Sequence, residues 1–396
     1  MGTGGGRVAI NLCYLLGVLS YTSMSGARLV MSLYAIEMGA QPLLVGALIG
    51  VMQLMPLAFS MPTGLAADRH GTRWLMTGGF AFLVVAMALV VNWPSIAMLF
   101  VVAGLNGVHL AINNVALQQL AGALSAPEER ARNFSNLALT GAVSNLLGPM
   151  IGGVSIDQLG YHGACGVMLA IALAGVVALV GWGGILPKGS QRLPKAAGAG
   201  EQSRPPIRDI WRLLGASALT QLCTDIYIFY LPVYARSIGL SATVIGTVMG
   251  AYAVAIFIMR AAMPALHKSL GETKLLTYSF ILAGAGFAVM PLFTNPWLLG
   301  LVSAMVGLGN GSGQPLTMMM VVARSREGRS GEMLGLQLSV NGAGRAGGPF
   351  LMGAAGSLIG IPPMFIISCA LMGVGALLSR GIPPARPVGR TSTRDG

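Results

Sequence analysis

The sequence predicts an all-α membrane protein whose twelve transmembrane helices form two related six-helix bundles. Three features predict it: a composition too apolar for a soluble globule, twelve apolar runs parted by short polar turns, and a repeat at a spacing of 200 residues. Of the 396 residues, 54% are hydrophobic and only 9% charged, with a mean hydropathy of +0.73. Soluble domains carry roughly 45–50% apolar and about 25% charged residues, so that class is excluded. A membrane span consumes about 20 apolar residues, and a dozen fit in this length.

Apolar runs between charged, Pro or Asn turns place spans at 8–36, 43–65, 74–91, 95–123, 133–156 and 163–186. A second set follows at 211–235, 243–266, 274–293, 297–323, 332–358 and 363–380. The stretch 187–210 between them is basic and rich in Pro and Gly, which marks a linker. The expected domains are therefore an N-terminal bundle over 1–186, the linker, a C-terminal bundle over 211–380, and a disordered tail over 381–396. The first run lacks a small-residue cleavage site and passes directly into further spans, so it is expected to be a membrane helix. Cys13, Cys165, Cys223 and Cys369 lie singly in apolar segments, without disulfide or metal spacing. The 24 methionines are adaptable packing residues, and no metal is expected.

With the N-terminus inside, the segments on its side of the membrane hold 20 of the 24 Lys and Arg residues. Positive charge is retained on the cytoplasmic side, so both termini are expected there, in a multi-pass cell membrane protein. The same distribution accounts for the net charge of +12 without nucleic acid as a partner. The expected partners are the lipid bilayer, a small-molecule solute and protons, with the chain a monomer.

Shifting the chain by 200 residues superposes Tyr34 and Ala35 on Tyr234 and Ala235, Gly39 on Gly239, and Val45 and Gly46 on Ile245 and Gly246. Gly71 falls on Gly271, and Gly148 and Pro149 on Gly348 and Pro349. Parallel repeats of this kind pack about an axis normal to the membrane, with a solute site at their interface near the midplane.

Two motifs carry a family resemblance. Between spans 2 and 3 stands Gly64-Leu65-Ala66-Ala67-Asp68-Arg69-His70-Gly71-Thr72-Arg73, whose glycines suit a tight turn and close helix approach while Asp68, Arg69 and Arg73 can pair. It resembles the loop motif of the major facilitator superfamily (MFS). Its second copy, Pro264 to Lys274, keeps Gly271 but has Lys268 in place of Asp68. In span 5, Gly141 precedes Gly148-Pro149-Met150-Ile151-Gly152-Gly153, which is similar to the helix-5 motif of proton-coupled exporters, with Ser144 where that pattern prefers Gly. The resemblance implies a fold of twelve helices in two pseudo-symmetric bundles. It further implies alternating access, Asp68 to Arg73 as a cytoplasmic latch, and efflux driven by the proton gradient with no cofactor, at a bacterial inner membrane. Span 4 contains no arginine, where such exporters carry one for proton transfer, so that route is not supported.

A charge at the bilayer centre costs on the order of 3 kcal/mol, which makes intramembrane ionisable residues functional candidates. There are five: Arg28, His109, Asp225, Arg260 and Arg345. Helical spacing extends each into a polar stripe. Tyr14, Tyr21, Ser25, Arg28 and Ser32 share a face of span 1, and Asn106, His109 and Asn113 one of span 4. Ser217, Gln221 and Asp225 do so on span 7, and Ser303, Asn310, Gln314 and Thr317 on span 10, while Gln337, Asn341 and Arg345 drift around one side of span 11. These stripes are expected to line a wet cavity. The repeat is an internal control: Arg28 aligns with Ile228, Asp225 with Ser25, Arg260 with Ser60 and Arg345 with Asn145, so the common scaffold does not require the charges.

Each candidate has a structural alternative. Asp225 either bridges to an arginine, carries a coupling proton or cation, or contacts solute; Arg260 either pairs with Asp225 or snorkels. Arg28 and Arg345 suit an anion, because guanidinium binds carboxylate or phosphate at two points. For His109, a hydrogen-bonded packing role outweighs a proton-carrying one.

The expected function is secondary active transport of a small organic solute, an anionic or zwitterionic metabolite or drug, by proton-coupled efflux. An organic-anion uptake symporter or facilitator is the alternative, and a non-transporting sensor with a transporter fold is the alternative of another class. No catalytic constellation or nucleotide-binding loop is present in the sequence, and an enzyme is not expected.

Overall fold

In lipid every backbone N–H and C=O needs an internal partner, and a continuous helix is the local solution for an apolar run. The computed structural model describes residues 3–125, 129–186, 207–324 and 330–382. The first four helices are α1 (Thr3–Glu37), α2 (Pro42–His70), α3 (Thr72–Asn92) and α4 (Ile96–Leu124). The helix Arg130–Trp182 turns at Gly160 (φ 70°, ψ 178°) and so makes two crossings, α5 over 130–159 and α6 over 161–182. The second half comprises α7 (Ile207–Ser237), α8 (Ala242–Leu270), α9 (Glu272–Val289), α10 (Pro296–Arg324), α11 (Ser330–Ile359) and α12 (Pro362–Arg380). These are the twelve spans read from the apolar runs, with ends shifted by a few residues. The segment 187–206 and the tail beyond Ile382 lie outside the described residues.

The turns show why the repeat holds. Among the described residues six glycines have positive φ: Gly39, Gly71, Gly160, Gly239, Gly271 and Gly360. They are three pairs at the 200-residue spacing. After α1, Gly39 N–H donates to Ile36 O (2.8 Å) and Ala40 N–H to Ala35 O (2.9 Å), a Schellman closure that needs a left-handed residue. After α7, Gly239 donates to Arg236 O and Leu240 to Ala235 O, both at 3.0 Å.

The halves meet along two crossings, α2 on α11 and α5 on α8, and these too are related by the repeat. Gly46 of α2 lies so close to the Pro349 carbonyl of α11 that a side chain there would collide with backbone, and Gly246 of α8 meets the Pro149 carbonyl of α5 in the same way. Gly153 rests on the Ala242 carbonyl and Gly353 on that of Pro42. Tyr230 Oη donates to Pro349 O at 2.7 Å. Inside each bundle, Gly107 abuts Met52 O and Gly307 abuts Tyr252 O, seating α4 on α2 and α10 on α8. Gly64, expected to permit close approach, has open space around it. The conformational need in that loop falls on Gly71 instead, at the start of α3.

By length and apolar composition eight described helices are able to cross a membrane, the merged α5–α6 counting once. The exceptions, α7, α10 and α11, carry the polar stripes of the second half. Large apolar side chains such as Leu301, Leu351 and Leu377 are exposed on the outside, as a lipid-facing surface requires.

Replacing Gly246 with Val should lower stability by about 2 kcal/mol, the cost of overpacking a close contact. A thermal midpoint measured in detergent would fall by several degrees, whereas Gly78→Ala, with open space around Gly78, should match or exceed the parent. An unchanged midpoint for Gly246→Val would mean that the crossing is looser than this.

Candidate functional site

A cavity of about 200 Å³ lies between the bundles, lined by α1, α5, α7, α8, α10 and α11. On its wall Asp225 Oδ2 accepts from Arg345 Nε at 3.0 Å, with the Asp225 side chain 2% and the Arg345 side chain 34% exposed. With the Gln53 amide turned so that its oxygen faces the guanidinium, that oxygen accepts from Arg345 Nη2 (2.7 Å) and Nε (2.9 Å). One guanidinium from α11 thus joins α7 of its own half to α2 of the other.

Arg28 is the contrasting group. It enters the same cavity from α1, has no ion pair among the described residues, and leaves Nε buried without a hydrogen-bond partner. Its guanidinium carbon lies over the Phe229 ring, 5.9 Å from the centroid. Arg260 donates from Nε to Gly311 O at 3.3 Å, and pairs with no carboxylate among the described residues. Tyr252 stacks on Tyr227 at 4.0 Å and accepts from Asn310 Nδ2 at 3.3 Å.

Of the expected site residues, Arg28, Ser25, Gln221, Asp225, Arg260, Asn310, Gln314 and Arg345 come together on this cavity. Four do not. His109 is fully buried within the first bundle, its Nδ1 2.7 Å from Gly79 O and its Nε2 2.9 Å from Ser20 Oγ. Asn113 donates to the same Ser20 hydroxyl. Both ring nitrogens of His109 are engaged in packing contacts between α4, α1 and α3, which corrects the expectation of a cavity position. Tyr21 donates to Asn114 Oδ1 at 2.6 Å within the same bundle, and Asn341 is buried off the cavity wall. Cavity residues not anticipated are Asn145, Thr220, Thr224 and Tyr252, with Gln53 behind Arg345.

The motif residues sort by position. Gly148 packs on Gly26, Ser25 and Thr22 of α1, and Gly152 approaches Gly26 as well, while Ser144 Oγ donates to Val18 O at 3.1 Å. The helix-5 motif therefore binds α1 through Gly148 and Gly152, and the opposite half through Pro149 and Gly153. Arg73 lies over Gly183 at the end of α6. The Asp68 and Arg69 side chains lie outside the described residues.

The cavity is closed on the face opposite the termini. There Asp157, at the end of α5, receives Ala242 N–H on Oδ1 (3.0 Å) and Thr243 N–H on Oδ2 (2.7 Å), two otherwise unpaired donors at the start of α8. Ser241 Oγ accepts from Val244 N–H, completing the cap. Partial burial raises the Asp157 carboxyl, but its bonds to Thr243, Ala242 and Ser241 outweigh this and hold it below its ordinary value. Glu37 and Arg236 add a bridge of 3.6 Å between the halves; both side chains are substantially exposed, so it contributes little. Position 357, related to Asp157 by the repeat, is Ser357, which turns back to Ala354 O.

Two repeated six-helix bundles around a polar, charged cavity, sealed at one face of the membrane, define a solute transporter. The sequence profile of the Major Facilitator Superfamily matches residues 13–302 and 213–395, and the chain belongs to that superfamily. It is similar to Multidrug resistance protein MdtG of Dickeya zeae (strain Ech586), 21% identical over 365 residues that cover 88% of each chain. Tetracycline resistance protein, class G, of Vibrio anguillarum is 22% identical over 77% of this chain and 78% of its own length. In fold, the chain resembles an inward-facing, occupied bacterial homolog of the human lysosomal transporter Spinster, with a TM-score of 0.80, 10% identity, and coverage of 96% of this chain and 97% of that one.

Asp157→Ala should loosen the closed face. The contribution of an exposed cap is about 1 kcal/mol, or roughly five-fold in the closed-to-open ratio. Because the folded-state carboxyl is held low, that contribution is complete above its unfolded value and is lost as the pH falls through the lowered one. Spin labels on cysteines replacing Gln41 and Ser237, in a background without the native cysteines, would report it. Their separation should hold from pH 8 to 5 and widen only in acid below the ordinary carboxylate range, while in Asp157→Ala it should already be wider from pH 8 to 5 and converge with the parent in acid. Widening of the parent near pH 6 would assign the switch to another group.

Proposed function

We propose that this superfamily member is a secondary active transporter of a small organic anion, which it moves by alternating access between its two bundles. The observation that carries the reading is Arg28, a guanidinium facing the cavity without a counter-charge of its own. A carboxylate or phosphate would supply the missing partner in two-point geometry. Arg345 is less available than its position in the sequence suggests, because Asp225 and Gln53 already occupy it.

The direction we propose is export in exchange for protons, with the face that bears the termini toward the cytoplasm of a bacterial inner membrane. The names of MdtG and of the tetracycline resistance protein support export, and so does the Gly-Pro arrangement of α5. Asp225 is the carboxylate on the cavity wall and the candidate for coupling: a proton there would release Arg345. The same geometry favours a second reading. An Arg345 freed by protonation becomes a site for an incoming anion, so proton and solute would load together, as in uptake by symport. A zwitterionic solute is accommodated in either direction by Asp225 and Arg28 together.

Flux of labelled organic anions into proteoliposomes, with and without an imposed pH gradient, tests this. Arg28→Ala should weaken apparent affinity by about ten-fold to a hundred-fold, the loss of one charge-assisted contact, with the protein still folded. Asp225→Asn should leave exchange of solute intact while abolishing its response to the gradient. Parent-like transport by Arg28→Ala would sink the anion reading. Antiport and symport are separated by whether an outward or an inward proton movement accompanies solute entry.

A further inference from the structure

The charges on the cavity wall bear on the valence of the solute. Three guanidinium groups, Arg28, Arg260 and Arg345, face one carboxylate, Asp225. Asp225 and Arg345 cancel in their 3.0 Å pair. Arg28 and Arg260 remain, and among the described residues neither has an acidic partner. They raise a positive potential in a cleft with low-dielectric walls, where field lines are concentrated.

The two stand at different depths. Arg28 lies nine residues before the end of α1, and Arg260 lies 18 residues into α8 from the same closed face. At 1.5 Å per residue their backbones differ in depth by about 13 Å. Arg28 lines the same cavity as the Asp225 and Arg345 pair, and Arg260 lies on its wall further toward the face that bears the termini. Between them the wall offers uncharged donors and acceptors, Gln221, Thr224, Tyr252 and Asn310. A solute with one anionic group would satisfy one guanidinium and leave the other bare. A solute anionic at both ends would bring the filled cavity to neutrality. The volume limits its body: about 200 Å³ lies below the range of roughly 300–1,000 Å³ typical of drug-sized ligand sites.

We propose that the solute is a small, elongated organic dianion, held at one end by Arg28 and at the other by Arg260. The proposal rests on the anion reading of Arg28 and adds Arg260 as the residue that selects a second charge.

The test uses the full chain in proteoliposomes and measures competition against a transported anion. Succinate, glutarate, adipate and pimelate are compared with butyrate, valerate, hexanoate and heptanoate, each diacid against the monoacid of equal length. The diacids should compete about ten-fold to a hundred-fold more tightly, the range for one added charge-assisted contact. One chain length should be best, because two fixed guanidinium groups select a spacing. Arg260→Gln should bring the diacid-to-monoacid ratio close to one, and Arg260→Lys, which keeps the cation, should restore part of it; that rescue separates selection from misfolding. Equal competition by diacids and monoacids in the parent, with Arg28→Ala still losing both, would overturn the dianion while leaving anion transport standing. If neither series competes and Arg28→Ala transports as the parent does, the anion reading itself fails.

Discussion

Everything else in this molecule depends on two places where one half's backbone touches the other's. At Gly46 against Pro349 and at Gly246 against Pro149, no side chain separates the helices. Without a hydrophobic driving force in lipid, helix association relies on close packing of small residues, and these are among the close approaches between the halves. Proline serves the contact by presenting its own carbonyl at the crossing. The closed face and the cavity beneath it both follow from bundles brought this near.

The cavity is where the two halves stop resembling one another. The turn glycines, the crossing glycines and the Phe80 and Phe280 rings, seated on Gly175 and Gly375, recur at the same spacing. The four cavity charges do not: their counterparts are Ile228, Ser25, Ser60 and Asn145. Asp157 has no acidic counterpart either, so only the α5–α8 crossing carries an ionic cap. Mechanical parts are duplicated while chemical parts are single, which is the division expected if the first set moves the bundles and the second recognises what is moved.

The fold was legible because its signals are local and physical. A run of about 20 apolar residues has few alternatives in a membrane, and glycine at a left-handed turn marks a helix end to within a few residues. Most cavity residues were legible too, because a charge in an apolar helix requires an explanation. Periodicity failed at His109 and Asn113. It shows that polar residues share a face of α4, but not that Ser20 of α1 and Gly79 of α3 are what the face meets. Gln53 was missed because a lone amide in an apolar run has no periodic companions, and its role exists only once α11 lies across α2. The choice of Arg345 over Arg260 as the partner of Asp225 is likewise a matter of which helices are neighbours.

The crossing contacts have one more consequence. The surface each half offers is the surface it receives: a glycine on one helix and a proline carbonyl on another, exchanged in both directions. That is the isologous geometry of a two-fold homodimer, here covalently joined in a single chain. A two-fold site would hold a ligand with distinct ends in two equivalent orientations and favour neither. By placing Arg28, Asp225, Arg260 and Arg345 on one copy each, this chain sets an asymmetric cavity between two related halves, and such a cavity distinguishes the two ends of whatever enters it.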